Sequence, residues 1–189
     1  MTKASDLSSG GPATFALRIL IASLAVLFLA GMVGYVVTRL RLGDEFSVTV
    51  PELLYLRTAI LLVTGVCLEA AWRRLRRGAV APARTLLLLT VLGSVAFLAV
   101  QIPALRQLLS GHRAAVAEGN PLLGFVFFLI LLHALHVLGG VVALVVVLLR
   151  TRGRALIPDQ DGAAVRLSTN YWHFLEIVWA VMFVIFLLS

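Results

Sequence analysis

Five long runs of apolar residues constrain this chain more than any other feature of its sequence. Crossing the hydrocarbon core of a bilayer takes about 20 helical residues, and each run is close to that length or longer. Backbone polar groups in hydrocarbon must pair within the segment, and period-2 strand alternation is absent, so the runs should be helices. The sequence therefore predicts an all-α polytopic membrane protein, a five-transmembrane-helix bundle with helices at about 15–38, 51–72, 85–105, 122–149 and 171–188.

Composition supports placing these runs in lipid. Of the 189 residues, 61% are hydrophobic and 13% are charged, and a soluble domain of this size could not bury so much apolar surface. The net charge is +7, but the arginines cluster at the ends of the runs, where anionic phospholipid headgroups lie. No basic stripe with interleaved aromatic residues is present, so we expect no nucleic-acid partner.

Basic residues outside the runs predict the orientation in the membrane. The N-terminal tail and the second and fourth connections carry ten Lys and Arg residues, and the first and third connections carry four. By the positive-inside rule the N-terminus is cytoplasmic, and five helices then place the C-terminus outside. Residues 1–14 are polar and lack a short apolar signal-peptide core, so we expect a mobile tail. Residues 15–189 should form a single transmembrane domain.

The last run opens with its most polar stretch. His173 and Glu176 are three residues apart and share a helical face, and we expect them to pair and to face the fourth run. An ionisable group inside the membrane is costly and usually faces a bundle interior, a cavity or a partner, so Glu176 is a candidate functional residue. The alternative is that Glu176 only hydrogen-bonds to a neighbouring helix or to interfacial water. Tyr171 and Trp172 suggest an interfacial aromatic anchor.

The fourth run carries two histidines beside small residues. His133, His136, Gly140 and Ala143 are spaced by three, four and three residues, which places them on one face of a helix. Small residues on that face indicate close packing against another helix. Interhelical hydrogen bonding is the favoured interpretation, a proton or lipid-headgroup role is the second, and a metal or haem site would need more ligands than the chain supplies.

The remaining charges and small residues of the first two runs have simple interpretations. Arg57 and Glu69 lie near the ends of the second run, where a long side chain can reach the headgroups, and Glu69 can pair with Arg73 at i,i+4. Ala30 and Gly34 form a small-xxx-small pair that permits close approach of another helix.

The sequence contains no arrangement typical of an enzyme active site. It has no nucleophile with an adjacent base, no carboxylate pair at active-site spacing and no phosphate-binding glycine loop, so we expect no catalytic, cofactor-binding or metal-binding residue. An accessory membrane subunit is favoured. A small transporter is the rival class, but its polar groups usually lie deep in several helices, and here such groups are few.

Two segments resemble the subunit III family of haem-copper oxidases, the cytochrome c oxidase subunit 3 family. The family's His-Gly-Leu-His-Val segment followed by Gly is similar to His133-Ala134-Leu135-His136-Val137-Leu138-Gly139-Gly140. The family's Tyr-Trp-His-Phe-Val-Asp/Glu-Val-Val-Trp is similar to Tyr171-Trp172-His173-Phe174-Leu175-Glu176-Ile177-Val178-Trp179. Weaker likenesses are Arg57-Thr58-Ala59-Ile60-Leu61-Leu62 to Asn-Thr-x-Leu-Leu, and Leu92-Gly93 with Gln101. The resemblance covers nearly the whole chain after the tail and fits the five-helix form of the family.

The resemblance implies a non-catalytic subunit of a respiratory oxidase in the bacterial plasma (inner) membrane. Haem and copper would belong to the partner subunit I, with subunit II in the same complex, and this chain would hold phospholipid between its helices and sustain proton uptake. The accessory protein of nitric-oxide reductase, a sister group, has the same five-helix plan, and the sequence does not separate the two. Structural or lipid- and proton-related roles fall to His133, His136, Gly140, Tyr171, Trp172, His173 and Glu176.

The chain departs from the family pattern at three positions. Leu24 follows Ser23 where the family usually has an intramembrane Glu, Arg57 stands in place of Asn, and Ala134 replaces Gly. At the first of these positions this chain has no carboxylate that could serve a proton-related role.

Overall fold

The computed structural model describes residues 12–42, 53–117, 121–151 and 156–188, and every regular element in these ranges is an α-helix. Each helix contains a stretch long and apolar enough to cross a membrane, so the prediction of an all-α protein with five membrane-spanning helices is confirmed. The predicted mobile tail lies outside the described residues up to residue 11, and Pro12 already belongs to the first helix. The helices are α1 (Pro12–Leu42), α2 (Leu53–Arg76), α3 (Val80–Ala117), α4 (Leu122–Arg150) and α5 (Pro158–Leu187).

Helices α3 and α5 are longer than their apolar runs. Helix α3 has 38 residues and contains Pro103, so the helix continues well beyond the predicted end of the third run at about residue 105. A proline removes one intrahelical hydrogen bond at a cost of about 3 kcal/mol, and the Ala-, Leu- and Arg-rich sequence that follows favours continuing the helix. Hydropathy predicts which part of a helix lies in the membrane, but it does not predict where the whole helix begins and ends.

Helix α5 begins within the stretch up to Arg166 that was predicted to be a basic connection. Its first residues carry sequence features that favour a helix start. Pro158 occupies the first helical turn, where its missing N–H and fixed φ suit a helix start. The Asp161 carboxylate accepts a hydrogen bond from the backbone N–H of Ile157 at 2.8 Å, which satisfies a donor that the helix leaves unpaired. Thus α5 begins well before Tyr171.

Helices α4 and α5 each pack against three other helices. For α5 these are the helices that position the candidate site. Helix α5 packs against α1, α2 and α4, while α3 packs against α2 and α4, and α1 also packs against α4. Helices α2 and α3 form a hairpin whose turn contains Gly78 in the left-handed region, with φ of 74°, where a glycine avoids the steric cost of a Cβ. The α5 side chains therefore face three different helices.

The close approach of α1 to α4 depends on two glycines. A Cβ at Gly31 would lie 2.7 Å from Cδ2 of Leu129, and a Cβ at Gly34 would lie 2.9 Å from Cε1 of Phe125. Gly34 therefore acts as predicted, whereas Ala30 is exposed. The small-residue contact uses Gly31 in its place.

Polarity in the bundle is distributed as lipid requires. Large apolar side chains cover the outside, such as Leu40, Val66 and Val26, whose exposed fractions are 78%, 70% and 68%. Several buried hydroxyls donate to carbonyls of their own helix, as Ser94 does to Thr90 at 2.6 Å, so their polarity costs little in hydrocarbon. The buried polar residues are Arg57, Thr64, Thr90, Ser94, Gln101, His133, Thr151 and Thr169.

Candidate functional site

The His173–Glu176 pair forms as expected, but it faces α2 rather than α4. The Nδ1 atom of His173 lies 2.7 Å from Oε2 of Glu176, because residues three apart meet on one helical face. The Glu176 carboxylate rests on Gly65 of α2, and a Cβ at Gly65 would collide with Oε1 of Glu176. The prediction was wrong about the neighbour because spacing along α5 does not fix which helix lies opposite.

Glu69 of α2 extends the pair to three groups. Its Oε2 lies 3.5 Å from Nε2 of His173, and its Oε1 accepts a hydrogen bond from Nε of Arg73 at 2.6 Å. The predicted pair between Glu69 and Arg73 is confirmed. The contact with His173 was missed, because it joins residues 104 positions apart. We call Glu69, His173 and Glu176 the α2–α5 triad.

The two carboxylates of the α2–α5 triad are less exposed than its histidine, whose side chain is 41% exposed. The side chain of Arg73, at the arginine-rich end of α2, is 66% exposed, and Glu69 beside it is 25% exposed. Glu176 is 13% exposed. The triad therefore runs from the arginine-rich end of α2 to a carboxylate largely enclosed by two helices.

A groove opens beside the α2–α5 triad, and we call it the α2–α5 groove. Its volume is about 590 Å³, and an apolar wall meets the polar groups of the triad within it. A second pocket of about 440 Å³ shares Glu69 and Arg73 with it and is lined otherwise by Trp72, Arg76 and Arg77. The groove is lined by Leu62, Val66, Glu69, Ala70, Arg73, His173 and Glu176.

His133 lies in the aromatic core. Its ring centroid is 5.1 Å from that of Trp179 and 6.3 Å from those of Phe28 and Phe97. Neither ring nitrogen has a hydrogen-bond partner among the described residues. The favoured interpretation of interhelical hydrogen bonding is therefore wrong for the His133 side chain, which acts as an aromatic packing residue.

Arg57 is buried between helices, so the interpretation that it reaches the headgroups is wrong. None of its surface is exposed, it donates a hydrogen bond from Nη1 to Oε1 of Gln101 on α3, and its guanidinium lies 5.4 Å from the Trp179 ring centroid. A buried charge is stable only with such partners. Sequence reasoning treated Arg57 and Gln101 separately, although antiparallel neighbouring helices bring the start of one run beside the end of the next.

The α4–α5 interface brings together the other candidates. The Tyr171 hydroxyl donates to the carbonyl oxygen of His136 at 3.2 Å, and a Cβ on Gly140 would lie 3.3 Å from both Tyr171 and Trp172. The Nδ1 atom of His136 lies 2.6 Å from the Leu132 carbonyl oxygen of its own helix, and its ring packs edge-on against Phe28 of α1 at a centroid distance of 5.5 Å. Ala143, expected on the same face, is exposed.

Trp172 is 1% exposed, so its interpretation as an interfacial anchor is wrong. Helix α5 begins at Pro158, more than three turns earlier at about 3.6 residues per turn. Trp172 is therefore far from the start of its helix, and its ring fills the space that Gly140 leaves on α4.

Fold and site together define an all-α polytopic membrane protein whose titratable groups lie between helices. Among the described residues, no three His, Cys, Asp or Glu side chains are arranged to hold a metal ion. This chain belongs to the cytochrome c oxidase subunit III family, whose profile matches residues 15–188. Both motif segments fall inside the matched range.

Relatives of the chain are bacterial oxidase subunits. A probable cytochrome c oxidase subunit 3 of Mycobacterium tuberculosis is 30% identical over 129 residues, covering 68% of this chain and 62% of the relative. The cytochrome bo(3) ubiquinol oxidase subunit 3 of Pseudomonas aeruginosa is 29% identical over 185 residues, covering 94% and 85%. A probable cytochrome c oxidase subunit 3 of Nocardia farcinica is 47% identical over 51 residues, covering 27% and 25%. The chain thus spans less than two thirds of the actinobacterial relatives.

Proposed function

We propose that this chain is the non-catalytic subunit III of a respiratory haem-copper oxidase in a bacterial plasma membrane. The supporting observation is the family match over residues 15–188. In this proposal the chain packs on subunit I, which holds the haem and copper and reduces oxygen with proton translocation, and subunit II completes the complex. Its own contribution is to stabilise subunit I and sustain proton uptake during turnover.

The α2–α5 groove supports phospholipid binding by the same subunit. Leu62 and Val66 provide an apolar wall of the kind that an acyl chain contacts. Arg73 in the groove and Arg76 in the adjoining pocket provide cations for a phosphate. Arg76 also stacks over the Trp72 ring, with its guanidinium carbon 4.8 Å from the ring centroid, which fixes one cation at the rim.

The excess of basic residues at one end of the bundle supports an orientation with the N-terminus in the cytoplasm. Helix α2 then ends on the cytoplasmic side, so the arginine rim of the groove meets the anionic inner leaflet. Fusing a reporter that is active only in the cytoplasm at each terminus tests this orientation. We expect signal from the N-terminal fusion alone, and signal from the C-terminal fusion alone would reverse the assignment.

Purification of the tagged chain from its host membranes in a mild detergent tests the assignment to an oxidase. We expect subunits I and II to copurify, with haem absorption and oxygen consumption. Copurification of a catalytic subunit that reduces nitric oxide would instead identify the sister complex. A colourless chain that purifies alone would contradict both assignments.

Native mass spectrometry of the purified complex tests the lipid proposal. We expect a retained phospholipid that is lost when Arg73→Gln is combined with Arg76→Gln. Arg150→Gln is the matched control, because Arg150 is exposed at the end of α4 and does not line the groove. Equal retention in the double variant and the control would refute the site.

A further inference from the structure

The α2–α5 triad places a carboxylate opposite each ring nitrogen of one histidine. Nδ1 of His173 faces Glu176 at 2.7 Å and Nε2 faces Glu69 at 3.5 Å. The first distance is that of a charge-assisted hydrogen bond, and the second is at the outer limit of a hydrogen bond and within ion-pair distance. Each carboxylate therefore lies beside one ring nitrogen of the same imidazole.

The hydrogen-bonding inventory of these groups favours one shared proton. An ionised carboxylate only accepts, and a neutral imidazole has one N–H donor and one lone pair. With both carboxylates ionised and the imidazole neutral, one ring nitrogen would direct its lone pair at a carboxylate. The contacts are satisfied when one additional proton is present, either as an imidazolium or on one of the two carboxyl groups. In both forms the triad carries a net charge of −1.

We propose that Glu69, His173 and Glu176 bind one proton jointly and exchange it with the aqueous phase at the Arg73 end of α2. In the release step the Nε2–H bond of His173 breaks, and the proton moves to Oε2 of Glu69 and then to water. The imidazole keeps its Nδ1–H bond to Glu176, and the charge of the triad changes from −1 to −2. Proton uptake is the reverse of these steps.

The surroundings assign different roles to the two carboxylates. Arg73 contacts Oε1 of Glu69 at 2.6 Å and so stabilises the ionised carboxylate left by release. Arg76, the last residue of α2, and Arg77 directly after it line the neighbouring pocket, and they add positive charge along the exit. Glu176 is enclosed against Gly65 and is the least exposed member, so it anchors the imidazole. His173 is itself 41% exposed, and Glu69 is assigned the exchange with water because it contacts the 66% exposed Arg73.

Two other titratable groups near α5, His136 and Tyr171, lie on a different side of the helix. The His136 ring contacts the Leu132 carbonyl oxygen and Phe28 of α1, and the Tyr171 hydroxyl donates to the His136 carbonyl oxygen. Both belong to the α4–α5 interface, whereas the triad lies between α2 and α5. His136 therefore provides an internal reference for any measurement on His173.

The test uses the full chain, labelled with ¹⁵N-histidine, in lipid nanodiscs near neutral pH. The chain has four histidines, and the His173 resonances are those lost in His173→Gln. We expect either two protonated ring nitrogens on His173 or an infrared band of a protonated carboxyl that disappears in Glu69→Gln or Glu176→Gln. If His173 is an imidazolium, each of these glutamine variants should reduce it to one protonated nitrogen, while the His136 resonances stay unchanged.

The proton count is read from the wild-type spectra, and the variants serve only to assign the His173 resonances and the carboxyl band. One protonated nitrogen on His173 together with no such carboxyl band would overturn the proposal. The route is tested by magnetisation transfer from water, which should reach the Nε2 side before the Nδ1 side, and the opposite order would refute release through Glu69. Neither readout depends on an oxidase partner, so failure here leaves the proposed function standing, and loss of that function leaves the triad standing.

Discussion

Replacing Gly65 with alanine should destabilise the bundle, because the new methyl group would occupy the position of the Glu176 carboxylate. A Cβ at Gly65 would lie 2.7 Å from Oε2 of Glu176 and closer still to Oε1, so the whole carboxylate must move. That movement breaks the 2.7 Å contact with His173, and a hydrogen bond to a charged group contributes about 1.5–3 kcal/mol.

The matched control is Gly139→Ala, at a glycine of α4 where a Cβ would meet nothing within 4 Å. Both substitutions gain about 0.5–1 kcal/mol from replacing a helical glycine, so this gain cancels in the comparison. Gly65→Ala should therefore be less stable than Gly139→Ala by about 1.5–3 kcal/mol. Reversible unfolding in mixed micelles measures the difference.

A double-mutant cycle isolates the cause. In a Glu176→Ala background the carboxylate is absent, and the difference between the Gly65 and Gly139 variants should fall to within about 0.5 kcal/mol. Equal stability of the two glycine variants in the otherwise unchanged chain would refute the close contact between α2 and Glu176. A difference that persists in the Glu176→Ala background would show that the α2 backbone, and not the carboxylate, limits the space.

Three further substitutions test the interior, each by the same unfolding assay. Gln101→Leu should destabilise the bundle by about 1.5–3 kcal/mol, because it leaves a buried guanidinium without its acceptor. Adding Arg57→Met should recover stability, because no buried charge then remains. A double variant that is still less stable than Gln101→Leu alone would contradict this. His133→Phe should change stability by less than about 1 kcal/mol, because losing two unpaired nitrogens offsets the larger ring, whereas a loss above about 3 kcal/mol would indicate a hydrogen bond in the native core. Gly140→Leu should lower the free energy of unfolding by about 1–3 kcal/mol or more, because the new side chain forces α4 away from α5. Gly139→Leu is the control and should be tolerated. Similar losses of stability in both variants would argue against the tight contact at Gly140.

Sequence information was sufficient where the interaction is local. Apolar runs of membrane-spanning length predicted the five helices, and the spacings Glu69 to Arg73 and His173 to Glu176 predicted two side-chain contacts that the structure contains. These contacts lie within one helix, so the helical repeat alone determines them.

Contacts between helices were not predictable in the same way. A helix with lipid on one side and packed apolar side chains on the other shows little amphipathic contrast, so its rotation cannot be read from hydropathy. The burial of Arg57, the aromatic surroundings of His133 and the contact between Glu69 and His173 all depend on that rotation. The prediction of helix length was wrong for a related reason, because α3 and α5 extend beyond their apolar runs into polar sequence. Only helix propensity and the proline at the start of α5, Pro158, indicate that those polar stretches are helical.

The residues on the apolar outer surface of the bundle are different from the residues that hold its helices together. Val26, Leu40 and Val66 are exposed on the outside of the bundle, and the contacts between helices are made inside by buried apolar side chains, glycines, aromatic rings and polar pairs. Exchanging the exposed residues of α1 to α5 for Gln, Glu and Lys would leave those contacts intact. The same interior could then specify a five-helix bundle in water, and such a soluble analogue would carry the α2–α5 triad without a membrane around it.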